Sequence, residues 1–377
     1  MYNSPLRDIT FTPFVNFESL WLKFHDLFEI TPMPKSTREY EAEVVPGIEK
    51  IAMSELRAKL GGKLRWARQT RSGFFRFGYG GAAAQLKSLR SVIAIYTVHH
   101  FQIPRPRAWL GDQHFRRLCE MLRAAAGGFN QPASNFGIGA AGSDSPVMLR
   151  LRDALGAALG LPYAEDGKGQ LYLRLLRAES GGWDALARTT PAPLSKRAYR
   201  LVDAPGALNA SVAYAMTRLA PTPANATVIN LCSGTATILI EQELSQATQR
   251  SLEIDWDAKM LAAGKANAAA ANCGRIIHLQ ADARATPLPR QRADLLYADL
   301  PFGGRIGTHA ENEELYPAIL REAARLARQE AKFVLLTQEI KLLQRCLRGS
   351  RWRVAAELPI NLSGLHPRIF VLALRHN

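Results

Sequence analysis

The chain has 377 residues, more than one hydrophobic core usually organises, and 47% of them are apolar, so two or three domains, folded over most of the chain, are expected. Forty-eight Lys and Arg against 33 Asp and Glu leave a net charge of +15, which points to a polyanionic partner, nucleic acid first. The cysteines Cys119, Cys232, Cys273 and Cys346 are scattered without a C-x-x-C pair, which argues against a disulfide framework or a zinc knuckle, and no apolar run approaches the roughly 20 residues that span a bilayer.

A cytoplasmic protein with no membrane segment and no metal is therefore expected. The charge is uneven: residues 1–200 hold 28 basic and 17 acidic side chains, and residues 201–377 hold 20 and 16. Whatever binds polyanion is expected mostly in the first half; a solvated basic surface is the plainer reading of the same excess.

Residues 1–38 are rich in aromatics and prolines without periodicity and read as an N-terminal extension. From Tyr40, "YEAEVV" alternates like a strand, "GIEKIAMSELRAKLG" has helical spacing, "GFFRFGYG" is strand-like, "AAAQLKSLRSV" reads as a helix and "AIYTVHHFQI" as a strand. That order predicts an α+β, ferredoxin-like domain over 39–110. His99 and His100 follow as strand polar residues rather than ligands, since no cluster of metal-binding groups accompanies them.

Next, "HFRRLCEMLRAAAG" is a helix with a basic face, and the Gly-, Ser- and Asn-rich stretch after it is a loop or a short strand. "VMLRLRDALGAALGL" is helical, and "GQLYLRLLRA" is a strand that alternates apolar residues with Arg174 and Arg177. This makes a second unit over 111–185. A proline-rich segment with Lys196, Arg197, Tyr199 and Arg200 forms a linker over 186–206, either solvated or in contact with RNA.

Residues 207–377 read as α/β, with strands at "ATVINL", "RSLEID", "RIIHLQAD", "RADLLYADLP" and "KFVLLTQ" separated by helices, then two closing strands with no helix between them. A seven-stranded, mostly parallel, Rossmann-like sheet ending in an antiparallel hairpin is expected. In such sheets ligands bind beyond the carboxyl ends of the strands.

Three such ends carry nucleoside-binding residue types in register. "NLCSGTAT" offers Asn230, Ser233, Gly234 and Thr235, small residues that let a ligand approach the backbone. In "EID", Glu253, followed by Ile254, can take ribose hydroxyls; in "ADARA", Asp282, followed by Ala283, can accept from an adenine amine. Each is commonplace alone. G-x-G-x-x-G is absent and no basic residue stands in the first loop, so a cofactor without phosphate fits better than a dinucleotide.

The fourth strand ends in Asp299-Leu300-Pro301-Phe302. An amine conjugated to an aromatic ring is a poor nucleophile and must be held by acceptors that draw its hydrogens aside. The Asp299 carboxylate and the Leu300 carbonyl can be those acceptors, Pro301 stiffens the turn, and Phe302 can stack on the base.

These residues resemble the (D/N)-P-P-(Y/F) signature of S-adenosylmethionine-dependent amino-methyltransferases, in the D-L-P-F-G-x-R-x-G form of the THUMP-domain tRNA guanine-N2 methyltransferases. The likeness extends to "ELYPAILREAARL", "FVLLTQ", "INLSGLHPRIFVL", "VVPGIEKIAMSEL" and "LSKRAYR". It implies that 111–185 is a THUMP RNA-binding domain, that 207–377 is a methyltransferase domain, and that the substrate is guanosine N2 in the tRNA acceptor stem, typically nucleotide 6. The cofactor implied is S-adenosyl-L-methionine, leaving S-adenosyl-L-homocysteine as product, with Asn230, Ser233, Gly234, Thr235, Glu253, Ile254, Asp282, Ala283 and Asp299 as its contacts. RNA contacts are expected at Arg174, Lys196, Arg197, Arg200, Arg305, Asn361 and Gly364, on a monomeric protein.

The first loop departs from the family's D-P-x-C-G-S-G-T: its acid is Asn230, its proline Leu231 and its last glycine Ala236. Methylation of another RNA or of adenine N6 in DNA, and a catalytically silent RNA-binding protein, are the competing readings.

Overall fold

The structure, a computed structural model, describes residues 37–246, 248–303 and 308–375. Residues 1–36 of the expected extension, and Arg305, lie outside the described residues. Among those described, no helix is long and apolar enough to cross a membrane.

The described part begins with β1 (Arg38–Val44), α1 (Glu49–Leu60), β2 (Leu64–Arg71), β3 (Phe74–Tyr79) and β4 (Val92–Phe101). It continues with α2 (Asp112–Ala126), β5 (Phe136–Ala140), α3 (Pro146–Leu159), β6 (Leu171–Arg177) and β7 (Trp183–Arg188). All seven strands join in one sheet of order β2-β3-β1-β4-β7-β6-β5. The seam is β4 with β7, antiparallel from Tyr96 opposite Arg188 to Phe101 opposite Trp183, so strands of segments 39–110 and 111–185 share a ladder. The boundary expected at 185/186 falls inside β7.

Two of these strands carry weak local signals. β2 is an edge strand, half-exposed on both faces and therefore without alternation, and β7 is short and follows the left-handed Gly181-Gly182 turn. The helix expected over "AAAQLKSLRSV" is only a 3₁₀ turn, Ala83–Ser88, because β4 starts at Val92 to pair with β1.

After the proline-rich segment come α4 (Ala210–Leu219), β8 (Thr227–Leu231), α5 (Thr237–Glu243), β9 (Arg250–Asp255), α6 (Ala258–Ala270) and β10 (Ile277–Gln280). Then follow β11 (Ala293–Asp299), α7 (His309–Leu326), β12 (Ala327–Thr337), α8 (Ile340–Arg348), β13 (Trp352–Pro359) and β14 (Arg368–Leu374). The α/β expectation holds: the order is β10-β9-β8-β11-β12-β14-β13, parallel from β10 to β12, with β13 and β14 antiparallel at the edge. α4 was not foreseen, since it is buried all round and lacks an amphipathic stripe.

Strand residues alternate between two apolar layers. Val228, Tyr297, Val334 and Val371 join α4 and α5, while Ile229, Leu296, Phe333 and Phe370 join α7 and α8 through Tyr316, Ile319, Leu342 and Leu343. The first layer is continuous with the core of the first sheet, including Tyr40, Phe75, Phe77 and Val92.

Two polar joints pin that junction. Glu241 of α5, fully buried, accepts from Arg90 Nε (2.6 Å), Arg197 Nε (2.9 Å) and Tyr199 Oη (2.8 Å). On the other side, Asn361 N–H donates to Pro46 O (3.0 Å), and a Cβ on Gly47 (φ +106°) would meet Pro359 O at 2.2 Å, so this turn needs glycine both for its backbone and for its close approach.

Candidate active site

Strand order reverses between β8 and β11, where a doubly wound sheet opens a crevice at its carboxyl ends. Asn230 pairs with both Glu253 and Tyr297, so Asn230, Glu253, Asp255 and Asp299 all lie on one face of the sheet. The lip beyond it is acidic: burial, then the charges of Asp255, Asp299 and Asp282, push the Cys232 thiol up to about 12. Three carboxylates from three strand ends therefore lie within electrostatic reach of Cys232.

The first loop leaves β8 through alternating left-handed residues, Cys232 (φ 57°), Gly234 (φ 56°) and Ala236 (φ 65°). Ser233 N–H donates to Ile254 O (3.0 Å), Gly234 N–H donates to Asp255 Oδ2 (2.8 Å), and a Cβ on Gly234 would meet open space. Ala236, where the family pattern has glycine, keeps the left-handed conformation at a cost of roughly 1–2 kcal/mol. It is fully buried, with its Cβ 3.2 Å from where a side chain on Gly264 would start, so the methyl fills the back of the loop rather than the cleft. Thr235 is buried, and its carbonyl faces the Asn267 amide of α6.

Behind this loop several polar atoms are sealed without partners among the described residues: both side-chain atoms of Asn230, Ser233 Oγ and Glu253 Oε2. Buried polar groups are rarely left unsatisfied, which marks the floor of the loop as built for more than chain packing. An open turn at Gly234, unsatisfied donors and acceptors beneath it and an acidic rim fit a polar, positively charged nucleoside. The residues thus suit S-adenosylmethionine.

Four of the expected contacts are placed differently. Glu253 does not reach the crevice: it is fully buried, packed beneath Gly264, and hydrogen-bonded to His278 Nδ1 of the neighbouring strand. Burial pushes its carboxyl up to about 8 and pushes the His278 imidazole down, so burial disfavours the charged form of both partners. Asp255 stands at the lip instead, accepting from Gly234 N–H and Asp257 N–H (3.0 Å). Asp282 is at the lip, but its carboxylate is occupied by Arg284 (2.7 Å). Ile254 and Ala283 are buried in the apolar layer that carries α7.

The Asp299-Leu300-Pro301-Phe302 loop is the best-defined part of the site. Asp299 is half-buried, accepts no hydrogen bond among the described residues, and is pushed up to about 7 by desolvation. Leu300 N–H makes the last ladder bond, to Leu336 O (3.0 Å), before Pro301 ends the strand. The Pro301 carbonyl accepts from Asn312 Nδ2 (3.0 Å) and Tyr316 Oη (2.7 Å), both on α7. Phe302 is half-buried against the apolar layer that also takes Leu358 and Leu362. Gly303 turns at φ +72°, where a Cβ would lie 2.8 Å from Glu339 Oε1.

Of the expected RNA contacts, Lys196 is exposed, and Gly364 sits in the β13–β14 turn with its N–H on Asn361 Oδ1 (3.1 Å). Arg174 is largely shielded, paired with Glu43 (3.3 Å) and stacked near Phe74 and Tyr96. Arg197 and Arg200 are corrected to structural roles: Arg197 is buried on Glu241, and Arg200 donates to Leu208 O (2.7 Å) and Thr237 Oγ1 (3.0 Å). Asp255, Asn312, Tyr316, Thr337 and Glu339 were missed as site residues; Asp255 and Tyr316 stood inside the quoted "EID" and "ELYPAILREAARL".

Comparison with known proteins agrees with this geometry. Over 191 residues the chain is 34% identical to a tRNA (guanine(6)-N(2))-methyltransferase THUMP3 of Bos taurus, covering 45% of this chain and 36% of that protein. The chain thus spans about a third of the length of that curated relative. It is 28% identical over 344 residues to a tRNA (guanine(6)-N2)-methyltransferase of Thermus thermophilus, covering 88% of this chain and 98% of that one. The crystal structure of TrmN from Thermus thermophilus superimposes with a TM-score of 0.69 at 24% identity over 89% of this chain and 99% of that chain, showing a shared fold. Residues 197–368, which hold the first loop, the acidic lip and the Asp299 turn, match the model of the UPF0020 family, described as an RMKL-like methyltransferase domain.

Proposed function

We propose that the protein is an S-adenosylmethionine-dependent methyltransferase that modifies the exocyclic N2 of a guanosine in tRNA, in the acceptor stem at nucleotide 6. The observation that carries this reading is the Asp299 turn: a half-buried carboxylate with no partner among the described residues stands beside the Leu300 carbonyl, at the switch point of a methyltransferase sheet. The names of the Bos taurus and Thermus thermophilus relatives support the choice of guanine N2 and of tRNA.

When bound, the cofactor supplies an electrophilic methyl group on a cationic sulfonium. The chain does the rest by position and charge. The turn of Ser233, Gly234 and Thr235 lines the nucleoside, Asp255 takes the place foreseen for Glu253 beside the ribose, and Asp282 is available to an adenine amine once it leaves Arg284. Asp299 and the Leu300 carbonyl accept the two N–H groups of the guanine amine, turning its nitrogen lone pair outward, and Asp299 takes the proton the nitrogen loses. Phe302 stacks on a base flipped from the stem.

The N-terminal sheet is read as a ferredoxin-like part over 39–110 and a THUMP part over 111–185 that hold the tRNA backbone, in line with the basic excess of residues 1–200. A cytoplasmic monomer belongs to the same reading. Incubating tRNA with the protein and labelled cofactor, followed by a nucleoside-resolved digest, tests it. Label in N2-methylguanosine is expected; label only in N6-methyladenine sinks the guanine assignment, and absence of cofactor binding by calorimetry favours a silent RNA-binding protein.

A further inference from the structure

We infer that Tyr316, with Asn312, is the positioning device of the methyl-transfer turn, aiming the Leu300 carbonyl at the target amine through Pro301. The inference rests on the guanine-N2 reading above. Residue 301 joins two peptide planes, one carrying the Leu300 carbonyl and the other carrying its own. Its ring holds φ near −65°, which fixes one plane relative to the Cα atom. The remaining freedom is ψ, and the Pro301 carbonyl is held by two donors, Tyr316 Oη at 2.7 Å and Asn312 Nδ2 at 3.0 Å. With ψ fixed by hydrogen bonds and φ by the ring, the Leu300 carbonyl has one direction.

The donors are themselves aligned. Tyr316 has a single hydroxyl hydrogen and spends it on Pro301 O, so the 2.6 Å contact with Thr337 Oγ1 must be a bond donated by Thr337. Thr337 Oγ1 in turn accepts from Glu339 N–H (2.9 Å), at the start of α8. The relay runs one way, from Glu339 through Thr337 and Tyr316 to Pro301. Tyr316, Asn312 and Thr337 are fully buried, and burial pushes the Tyr316 hydroxyl up from its ordinary range, so it remains a donor throughout the working pH range. Glu339 also bounds the far side of the turn, where Gly303 leaves no room for a side chain and where His309 Nδ1 meets Glu339 Oε1 (3.0 Å). None of these groups needs to touch substrate; they decide where the Leu300 carbonyl points.

The test compares Tyr316→Phe, Thr337→Val and Thr337→Ser with wild type, using cofactor calorimetry, tRNA binding and methyl transfer at saturating cofactor and tRNA. Misplacing a reacting group by about an ångström costs up to about a hundredfold. Tyr316→Phe is therefore expected to lower kcat at least about tenfold while cofactor and tRNA affinities stay within about twofold, a split that general destabilisation does not produce. Thr337→Val is expected to fall between, and Thr337→Ser, which keeps the hydroxyl, to restore the rate. Wild-type kcat in Tyr316→Phe, or loss of cofactor binding in parallel with kcat, overturns the positioning role. Absence of transfer to guanine N2 by the wild-type protein overturns the underlying reading, and this inference with it.

Discussion

Replacing Asp299 by Asn is expected to stabilise the protein at neutral and alkaline pH while abolishing methyl transfer. The Asp299 carboxyl, ordinarily near 3.8, is held at about 7 by desolvation. A folded value above the unfolded one means that the neutral form is favoured by folding, so the contribution is fully present below about 4, is lost as pH rises toward about 7, and leaves a constant penalty above that. At 1.36 kcal/mol per tenfold the penalty reaches about 4 kcal/mol. The carboxylate is only half-buried and keeps some solvent, so about 2 kcal/mol is the realistic gain from an amide of the same shape. Thermal melts from about pH 4 to pH 8.5, without cofactor, read it directly: at roughly 2–4 °C per kcal/mol, Asp299→Asn is expected to melt roughly 4–8 °C higher at the alkaline end and to converge with wild type at the acid end. A wild-type protein as stable as the variant at pH 8.5 would refute the desolvated carboxylate, and retained transfer in the variant would refute its role as acceptor and base.

The same carboxyl predicts that single-turnover transfer rises about tenfold per pH unit up to about 7 and then levels, read by rapid quench; a rate independent of pH across that range contradicts it. Gly264→Ala puts a Cβ 2.7 Å from Glu253 Oε1 and 3.2 Å from the Ala236 methyl, so a loss of about 1–3 kcal/mol and weaker cofactor binding are expected in melts and calorimetry. Arg197→Ala leaves the buried Glu241 short of one cation, and a loss of about 3 kcal/mol is expected, whereas the salt slope of RNA binding should not move, as it would if Arg197 met phosphate. Gly47→Ala forces a side chain against Pro359 O at φ +106° and should lower the melting temperature by an amount equivalent to at least about 2 kcal/mol; an unchanged melt would show that the junction is looser than described.

What the amino-acid order determined by itself is everything with a local period. Helix and strand alternation in 207–377, the rule that ligands sit beyond strand ends, and the Asp299-Leu300-Pro301-Phe302 turn after the fourth strand were all legible, because each depends on neighbours within a few residues. Elements without a period escaped: β2 is exposed on both faces, and α4 is buried on all of them. Only the tertiary structure decided which polar groups meet. Glu253 and Asp255 point to the same face of β9, and what separates them is Gly264 on α6, which lets the sheet and helix close over the first and leave the second at the lip. Arg197 looked like an RNA contact because its run is basic, yet Glu241, 44 residues away, claims it. The carbonyl of Pro301 has no sequence signal at all: its donors, Asn312 and Tyr316, lie 11 and 15 residues downstream and reach it only because α7 packs back along the strand it follows. Charge and periodicity are properties of a segment, whereas the partner of a buried polar atom is a property of the packed chain.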